Sequence, residues 1–172
     1  SRVWIIDVID GSKEFSTGRS DWSVHVALVV DGQPALASVG LPDAGRVFRT
    51  DQVHHVDGPP SGTMVISRNN PPDGIQEVAD ALGLETRPMG SAGAKMLSVL
   101  LGDADVYLHA GGQYEWDQAA PVGVALASGL HASRLDGTPI RFNKSDTYSP
   151  DILVCRPDMT EQVLAAAAAM QP

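Results

Sequence analysis

The chain has 172 residues, of which 43% are hydrophobic and 19% charged, and its formal net charge is −9. This length and composition predict one soluble globular unit with a sizeable core. The acidic balance excludes a general nucleic-acid binder, because no Lys/Arg stripe is available to replace the counterions of a phosphate backbone. There is no apolar run long enough to span a bilayer and no charged-then-apolar leader, so we expect neither membrane insertion nor secretion. The single cysteine, Cys155, fits a cytoplasmic protein.

The first chemical signal lies near the start of the chain. Val3–Ile6 is a short apolar run, typical of a strand buried on both faces, and Asp7, Asp10, Gly11 and Ser12 follow it. Ligands of open α/β sheets bind at the C-terminal edges of strands. Carboxylate oxygens suit Mg²⁺, and an Asp-Gly turn that opens a helix offers free backbone N–H groups to an anion. The stretch therefore predicts a site for metal and phosphate together.

An antiparallel meander is predicted next, with a short turn or helix over 13–20 before it. Its strands are expected at 22–30, 34–39, 46–50 and 63–67, with a hairpin at Asp31-Gly32. His25 lies in mid-strand without a second ligand at metal spacing, so we interpret it as a structural, half-buried histidine. His54 and His55 are adjacent and would point to opposite faces of a strand, so we interpret both as surface residues.

After a break at Asn69–Pro72, the pattern changes to alternating helices and strands. Helices are predicted over 73–82, from Lys95 to 101, over 117–130 and over 160–170, and strands over 84–89, 104–109 and 152–155. The third of these helices carries a second signal, because Asp117 opens it after the Gly111-Gly112 loop. We place the boundary between two halves, 1–70 and 71–172, at this break and expect them to form one compact unit.

The two signals together resemble the signatures of a known family. Asp7-Val8-Ile9-Asp10-Gly11-Ser12 resembles the metal-binding signature Asp-Pro-(Leu/Ile)-Asp-Gly-(Thr/Ser), with Val8 in place of the proline. The stretch 116–120, Trp-Asp-Gln-Ala-Ala, resembles the second signature, Trp-Asp-x-Ala-Ala. In this order the signatures are similar to those of the inositol monophosphatase superfamily. The stretches 91–95, 109–117 and 131–137 resemble its actinobacterial CysQ branch, the 3′-phosphoadenosine 5′-phosphate phosphatases.

The resemblance implies a layered α-β-α-β-α sandwich of mixed and antiparallel sheets with packed helices. It also implies that Asp7, Asp10 and Asp117, with the Ile9 carbonyl, hold two or three Mg²⁺ ions, and that Li⁺ inhibits. Water activated by metal would attack the phosphate in line, without a phosphoenzyme. Gly11 and Ser12 would bind the phosphate, and Ser12 would help to place the water.

The substrate side is expected at the turn Gly90-Ser91-Ala92 and at Lys95, which would grip a second phosphate. Gln113 and Glu115 would face a sugar. The leading hypothesis is a 3′(2′),5′-bisphosphate nucleotidase that converts 3′-phosphoadenosine 5′-phosphate to AMP and phosphate. An inositol-1-phosphate or fructose-1,6-bisphosphate phosphatase is an alternative within the same chemistry. A non-catalytic fragment or regulatory binding module is an alternative of another class.

Members of the family carry helices and a Glu-Glu strand ahead of the first signature, and this chain begins at the signature strand. We therefore expect these N-terminal elements, with a glutamate that orients the water, to be missing here. Weak or absent turnover by these residues alone is then expected. The sheet that contains Trp4 would also leave an apolar face open to water, so self-association, for example as a homodimer, is expected.

Overall fold

The computed structural model describes residues 1–52, 54, 56 and 58–170. Its first half is an antiparallel sheet of four strands in the order β1-β2-β3-β4. The strands are β1 (Arg2–Asp10), β2 (Ser23–Val30), β3 (Gln33–Leu41) and β4 (Arg46–Arg49), and a five-residue helix α1 (Ser12–Ser16) connects the first two. Asp31 and Gly32 form the predicted hairpin, both with positive φ, as a tight turn between twisted strands requires.

A second sheet contains five strands in the order β6-β5-β7-β9-β8. The strands are β5 (Thr63–Ser67), β6 (Glu85–Met89), β7 (Val106–Tyr114), β8 (His131–Ser133) and β9 (Tyr148–Cys155). β5 pairs in parallel with β6 and β7, while β9 pairs antiparallel with β7 and β8. The prediction that 63–67 is a fourth strand of the first meander is therefore wrong. β5 belongs to the second sheet although it precedes the predicted division at residue 70.

Three longer helices connect these strands, and a fourth follows β9. They are α2 (Ile75–Leu82), α3 (Ala92–Leu100), α4 (Glu115–Ala127) and, after β9, α5 (Thr160–Ala167). α3 and α4 lie between the sheets, because their side chains share one core with residues of both, for example Val39, Met96, Val124 and Tyr107. α2 and α5 cover the other face of the second sheet through a separate core that includes Val78 and Val163. The predicted α/β sandwich with mixed and antiparallel sheets is confirmed.

The outer face of the first sheet is apolar and open. We use "outer face" for five side chains that are each more than half exposed: Trp4, Ile6, Val8, Leu36 and Val47. The prediction that β1 is buried on both faces is wrong, because β1 is an edge strand and its side chains alternate between this face and the core. An apolar patch of this kind is typical of an interaction surface. Self-association, including a homodimer, stays a prediction.

The described residues contain no helix with the length and hydrophobicity required to cross a bilayer. His54, predicted to lie on the surface, is half-buried and packs at 5.0 Å against the ring of Phe48. His55 lies outside the described residues.

Packing of α4 against β3 depends on a glycine. A Cβ added to Gly123 would lie 2.9 Å from the Ala37 Cβ and 3.0 Å from the Pro34 Cβ, closer than ordinary van der Waals contact. Both neighbours are short or rigid, so relief of the contact requires the helix to move away from the sheet. Replacing glycine in a helix usually stabilises it by about 1 kcal/mol, whereas overpacking of a core costs about 1–3 kcal/mol.

We therefore expect Gly123→Val to lower the free energy of unfolding by about 2 kcal/mol, measured by urea denaturation. Ala127→Val, on the exposed last turn of the same helix, adds two methyl groups without this contact and is the matched control. Equal stability of the two variants would show that α4 has room to shift.

Candidate metal and phosphate site

Three carboxylates meet where β1 ends and α4 begins. Asp7 and Asp10 lie at the end of β1, and Asp117 lies in the first turn of α4. One oxygen of each lies within 4.8 Å of the others, a separation at which shared cations can be held. The structure thus brings together the three predicted metal-ligating side chains, which are separated by up to 110 positions in the sequence.

A bulge in β1 explains how Asp7 and Asp10 reach the same site. Side chains three residues apart in a regular strand point to opposite faces. In the pairing with β2, however, Asp7 lies opposite His25 and Asp10 lies opposite Ser23, so three steps along β1 match two along β2. The extra residue turns Asp10 back toward the inner face. The Ile9 backbone lies in this bulge, next to both carboxylates.

Asp10 is the most strongly anchored of the three. It is buried, and its Oδ2 accepts hydrogen bonds from Ser91 Oγ at 2.6 Å and from Gly93 N at 2.9 Å, while Ser23 Oγ lies 3.3 Å away. Within the described part of the chain, these contacts all involve Oδ2, which leaves Oδ1 for a cation. Asp7 and Asp117 each accept a single backbone hydrogen bond, from Ile9 N at 3.1 Å and from Tyr114 N at 2.7 Å.

Negative charge is concentrated at this cluster. Burial raises the pKa of Asp117 to about 7, and the carboxylates of Asp10 and Asp7 add to the shift, against the opposing Tyr114 N–H and Lys95. Burial and then Asp10 also raise the pKa of Asp7. Crowded carboxylates with raised pKa values are those that a divalent cation would stabilise in the ionised form. The oxygen donor set also fits a hard cation such as Mg²⁺.

Beside the cluster lies a polar cleft of roughly 200 Å³. Several predicted residues line it: Asp10, Gly11, Ser91, Ala92, Lys95, Gln113 and Asp117. Gly11 adopts φ +85° at the start of α1, and Ser12 follows it but is exposed and does not line the cleft. Gly90 lies behind the lining, where a Cβ would be 2.2 Å from the Glu14 carboxyl carbon, so the turn tolerates no side chain there.

Lys95 has a different environment from the solvated lysine of an ordinary helix surface. It is buried, and its ammonium donates hydrogen bonds to the carbonyl oxygens of Ser91 at 2.8 Å and Gly90 at 3.2 Å. Burial lowers the pKa of Lys95 to about 8, although the carboxylates of Asp10, Glu14 and Asp21 act in the opposite direction. Lys95 therefore supports the turn at residues 90–91 and also contributes positive charge to the cleft.

Glu115 is not brought to the cleft. Its carboxylate is buried and accepts hydrogen bonds from Asn143 N at 2.7 Å and Lys144 N at 3.0 Å, so it fixes the loop that precedes β9. Its position gives no support to the predicted contact with a sugar. Gln113 does line the cleft, and it donates to the Tyr107 hydroxyl at 2.7 Å and accepts from Gln118 at 2.8 Å.

Sequence reasoning missed several residues of the site. The cleft is also lined by Glu14, Ser67, Asn69, Asn70, His109 and Gly112. Ser67 ends β5, a parallel strand, and Asn69 and Asn70 follow it. Their place at its carboxyl end is a usable signal, but from sequence we interpret Ser67 only as a strand residue and Asn69–Pro72 only as a chain break. The His109 ring is buried, and burial, together with the Lys95 ammonium, lowers the pKa of His109 to about 4.

An ion-pair network supports the turn at Gly90, next to the cleft. Arg68 donates to Glu14 at 3.1 Å and to Asp21 at 2.6 Å, and the Asp21 carboxylate also accepts from Gly90 N at 2.7 Å. Burial raises the pKa of Asp21, but the Gly90 N–H and Arg68 outweigh that effect and lower it to about 2. Asp21 thus stabilises the folded chain in its ionised form.

Because the folded-state pKa of Asp21 is depressed, its contribution is present above about pH 4 and is lost as the pH falls toward 2. We expect Asp21→Asn to lower the free energy of unfolding by about 1–2 kcal/mol at pH 7 and by clearly less at pH 3. Urea denaturation at both pH values measures this. Asp43→Asn, an exposed aspartate, is the control, and an equal loss for Asp21→Asn at both pH values would contradict the assignment.

Comparison with known proteins agrees with this geometry. Residues 1–171 match the model of the inositol monophosphatase family. The chain is 49% identical over 178 aligned positions to a 3′-phosphoadenosine 5′-phosphate phosphatase of Mycobacterium bovis, covering 97% of this chain and 67% of that protein. It is 29% identical to the 3′(2′),5′-bisphosphate nucleotidase CysQ of Escherichia coli, covering 86% of this chain and 65% of that protein.

An inositol monophosphatase of Zymomonas mobilis has the same fold, with a TM-score of 0.79 and 21% identity, over 97% of this chain and 70% of that one. At this identity the likeness concerns the fold alone. The chain spans about two thirds of the length of these proteins. The family match over almost all residues, together with the relative at 49% identity, shows that this chain belongs to the inositol monophosphatase family.

Proposed function

We propose that the chain is a Mg²⁺-dependent phosphomonoester hydrolase and that its substrate is 3′-phosphoadenosine 5′-phosphate, which it converts to AMP and phosphate. The observation that carries the proposal is the cluster of Asp7, Asp10 and Asp117 beside a polar cleft. The nucleotide substrate is supported by the 49% identity to a phosphatase of that name. A cytoplasmic location stays a prediction.

The residues of the site have separate roles in binding metal and phosphate. Asp7, Asp10 through its free oxygen, Asp117 and the Ile9 carbonyl would hold two or three Mg²⁺ ions. When bound, Mg²⁺ would act as a Lewis acid that activates water and neutralises charge on the phosphate. The backbone N–H groups of Gly11 and Ser12, at the start of α1, would hold phosphate oxygens; the predicted role of the Ser12 hydroxyl in placing the water gets no support from its exposed position outside the cleft lining.

The cleft supplies the rest of the substrate contacts. Ser91, Ala92 and Lys95 would face the second phosphate, since the Lys95 ammonium is the cation among the side chains that line the cleft in the described part of the chain. Gln113 would face the ribose. A positive charge in an acidic cleft favours a substrate with two phosphates over one with a single phosphate.

The substrate assignment is tested by phosphate release from adenosine 3′,5′-bisphosphate, inositol 1-phosphate and fructose 1,6-bisphosphate, each with and without Mg²⁺. We expect release that is weak for these residues alone, depends on Mg²⁺ and is fastest with the nucleotide. Faster release from either of the other substrates would favour the corresponding phosphatase. Binding of the nucleotide without any release would favour a non-catalytic binding module.

We expect Asp7→Asn to reduce Mg²⁺-dependent release by at least about 100-fold without unfolding the chain, because the amide oxygen can still accept the Ile9 hydrogen bond but carries no charge for a cation. Asp146→Asn is a matched control. Asp146 likewise accepts a hydrogen bond from the N–H two residues later, Tyr148 N at 2.9 Å, and is exposed away from the cleft. Undiminished Mg²⁺-dependent release by Asp7→Asn would refute the metal role.

Lithium gives a further test, because the family resemblance implies that Li⁺ inhibits by occupying a magnesium position. We expect phosphate release to fall as LiCl is added, and to fall more than with an equal concentration of NaCl. Equal responses to the two salts, at matched ionic strength, would contradict this part of the proposal.

A further inference from the structure

His25 lies directly behind the acidic cluster. The side chain is almost fully buried, with 1% exposure, and both ring nitrogens have partners. Nδ1 lies 3.0 Å from the Trp116 carbonyl oxygen, and Nε2 lies 2.8 Å from Ser23 Oγ. Since a carbonyl oxygen can only accept, Nδ1 carries a proton and donates it to Trp116. The prediction that His25 is half-buried is wrong, because its side chain is buried.

The two ring nitrogens contact the two elements that deliver the carboxylates. Trp116 immediately precedes Asp117 in the first turn of α4. On the other side, Nε2 lies 3.5 Å from the Asp10 Oδ2 at the end of β1. The imidazole therefore spans the gap between β1 and α4, and its width contributes to the separation of Asp10 from Asp117.

Two serines complete the connection. Ser23 Oγ lies 2.7 Å from Ser91 Oγ, and each hydroxyl also contacts the Asp10 Oδ2, Ser91 at 2.6 Å and Ser23 at 3.3 Å. Ser91 holds a positive φ of 47°, an uncommon conformation for a residue with a side chain, and it begins α3. The orientation of the Asp10 carboxylate is thus fixed from β2 and from α3 together.

Close packing keeps the ring in this position. A Cβ added to Gly93, in the first turn of α3, would lie 2.1 Å from the His25 Nε2 and 2.5 Å from Ser23 Oγ. The backbone of α3 therefore closes the side of the ring that faces the cluster. Any buried histidine needs partners for its ring nitrogens, so what points to the site is the identity of these partners: Trp116 adjoins Asp117, and Ser23 contacts Asp10.

We propose that His25 is a positioning residue for the metal site: with Ser23 it sets the orientation of Asp10 and the spacing between Asp10 and Asp117. This inference rests on the proposed function, because it concerns the residues that would hold the cations. His25 itself does not contact the substrate. Removal of residues that orient metal ligands typically weakens metal binding by 10–100-fold.

The test is Mn²⁺ binding to the full chain, followed by the electron paramagnetic resonance signal of the free ion. We expect His25→Asn and Ser23→Ala each to weaken Mn²⁺ binding by about 10-fold or more. Thermal unfolding without metal measures the purely structural contribution of the same side chains. His131→Asn is the control, since His131 bonds to Ser133 on β8, on the second sheet.

Mn²⁺ affinity within twofold of the unchanged chain, in both His25→Asn and Ser23→Ala, would overturn the inference even if both variants unfold at lower temperature. If His25→Asn does not fold, Ser23→Ala, which removes one hydroxyl and leaves the ring, decides the question. Absence of Mn²⁺ binding by the unchanged chain would instead refute the metal site itself, and with it the proposed function.

Discussion

The hydrogen bonding of one carboxylate oxygen, Asp10 Oδ2, is the constraint on which the site depends. Asp10 belongs to the first sheet, whereas its donors Ser91 and Gly93 belong to the start of α3, a helix that packs against both sheets. A buried carboxylate without these donors would cost several kcal/mol, so the end of β1 and the start of α3 are stable only together. The cleft is formed where they meet.

Glu14 is a second buried carboxylate whose donors come from a distant part of the chain. Glu14 is buried behind Gly90, and Arg68 and Asn69 supply its hydrogen bonds from the end of β5. The two halves of the structure are therefore held together by polar contacts at the site and by the shared apolar core elsewhere. Several ionisable side chains are buried around this concave surface. Burial of such groups costs free energy, so a cluster of them is typical of a functional site.

Much of this arrangement could be predicted from sequence. Period-2 and period-3.6 patterns placed most elements within a few residues, and the two aspartate signatures pointed to Asp7, Asp10 and Asp117 as a group. Other features depend on contacts that no local pattern encodes. β5 has the composition of a meander strand, and only its parallel partners β6 and β7 show that it belongs to the second sheet. Glu115 lies beside the signature tryptophan, but the direction of its side chain is set by the loop at 143–144.

The bulge in β1 changes which features of the first signature matter. Val8 stands where the family signature has proline, and its side chain is 73% exposed on the outer face, so its identity has little influence on the cluster. The number of residues between Asp7 and Asp10 has a much larger influence. Two aspartates separated by one residue in a regular strand would also lie on the inner face, so what the bulge adds is the extra residue, whose backbone at Ile9 lies beside both carboxylates. The spacing of the two aspartates, rather than the side chain at position 8, therefore determines what the end of β1 presents to the cluster.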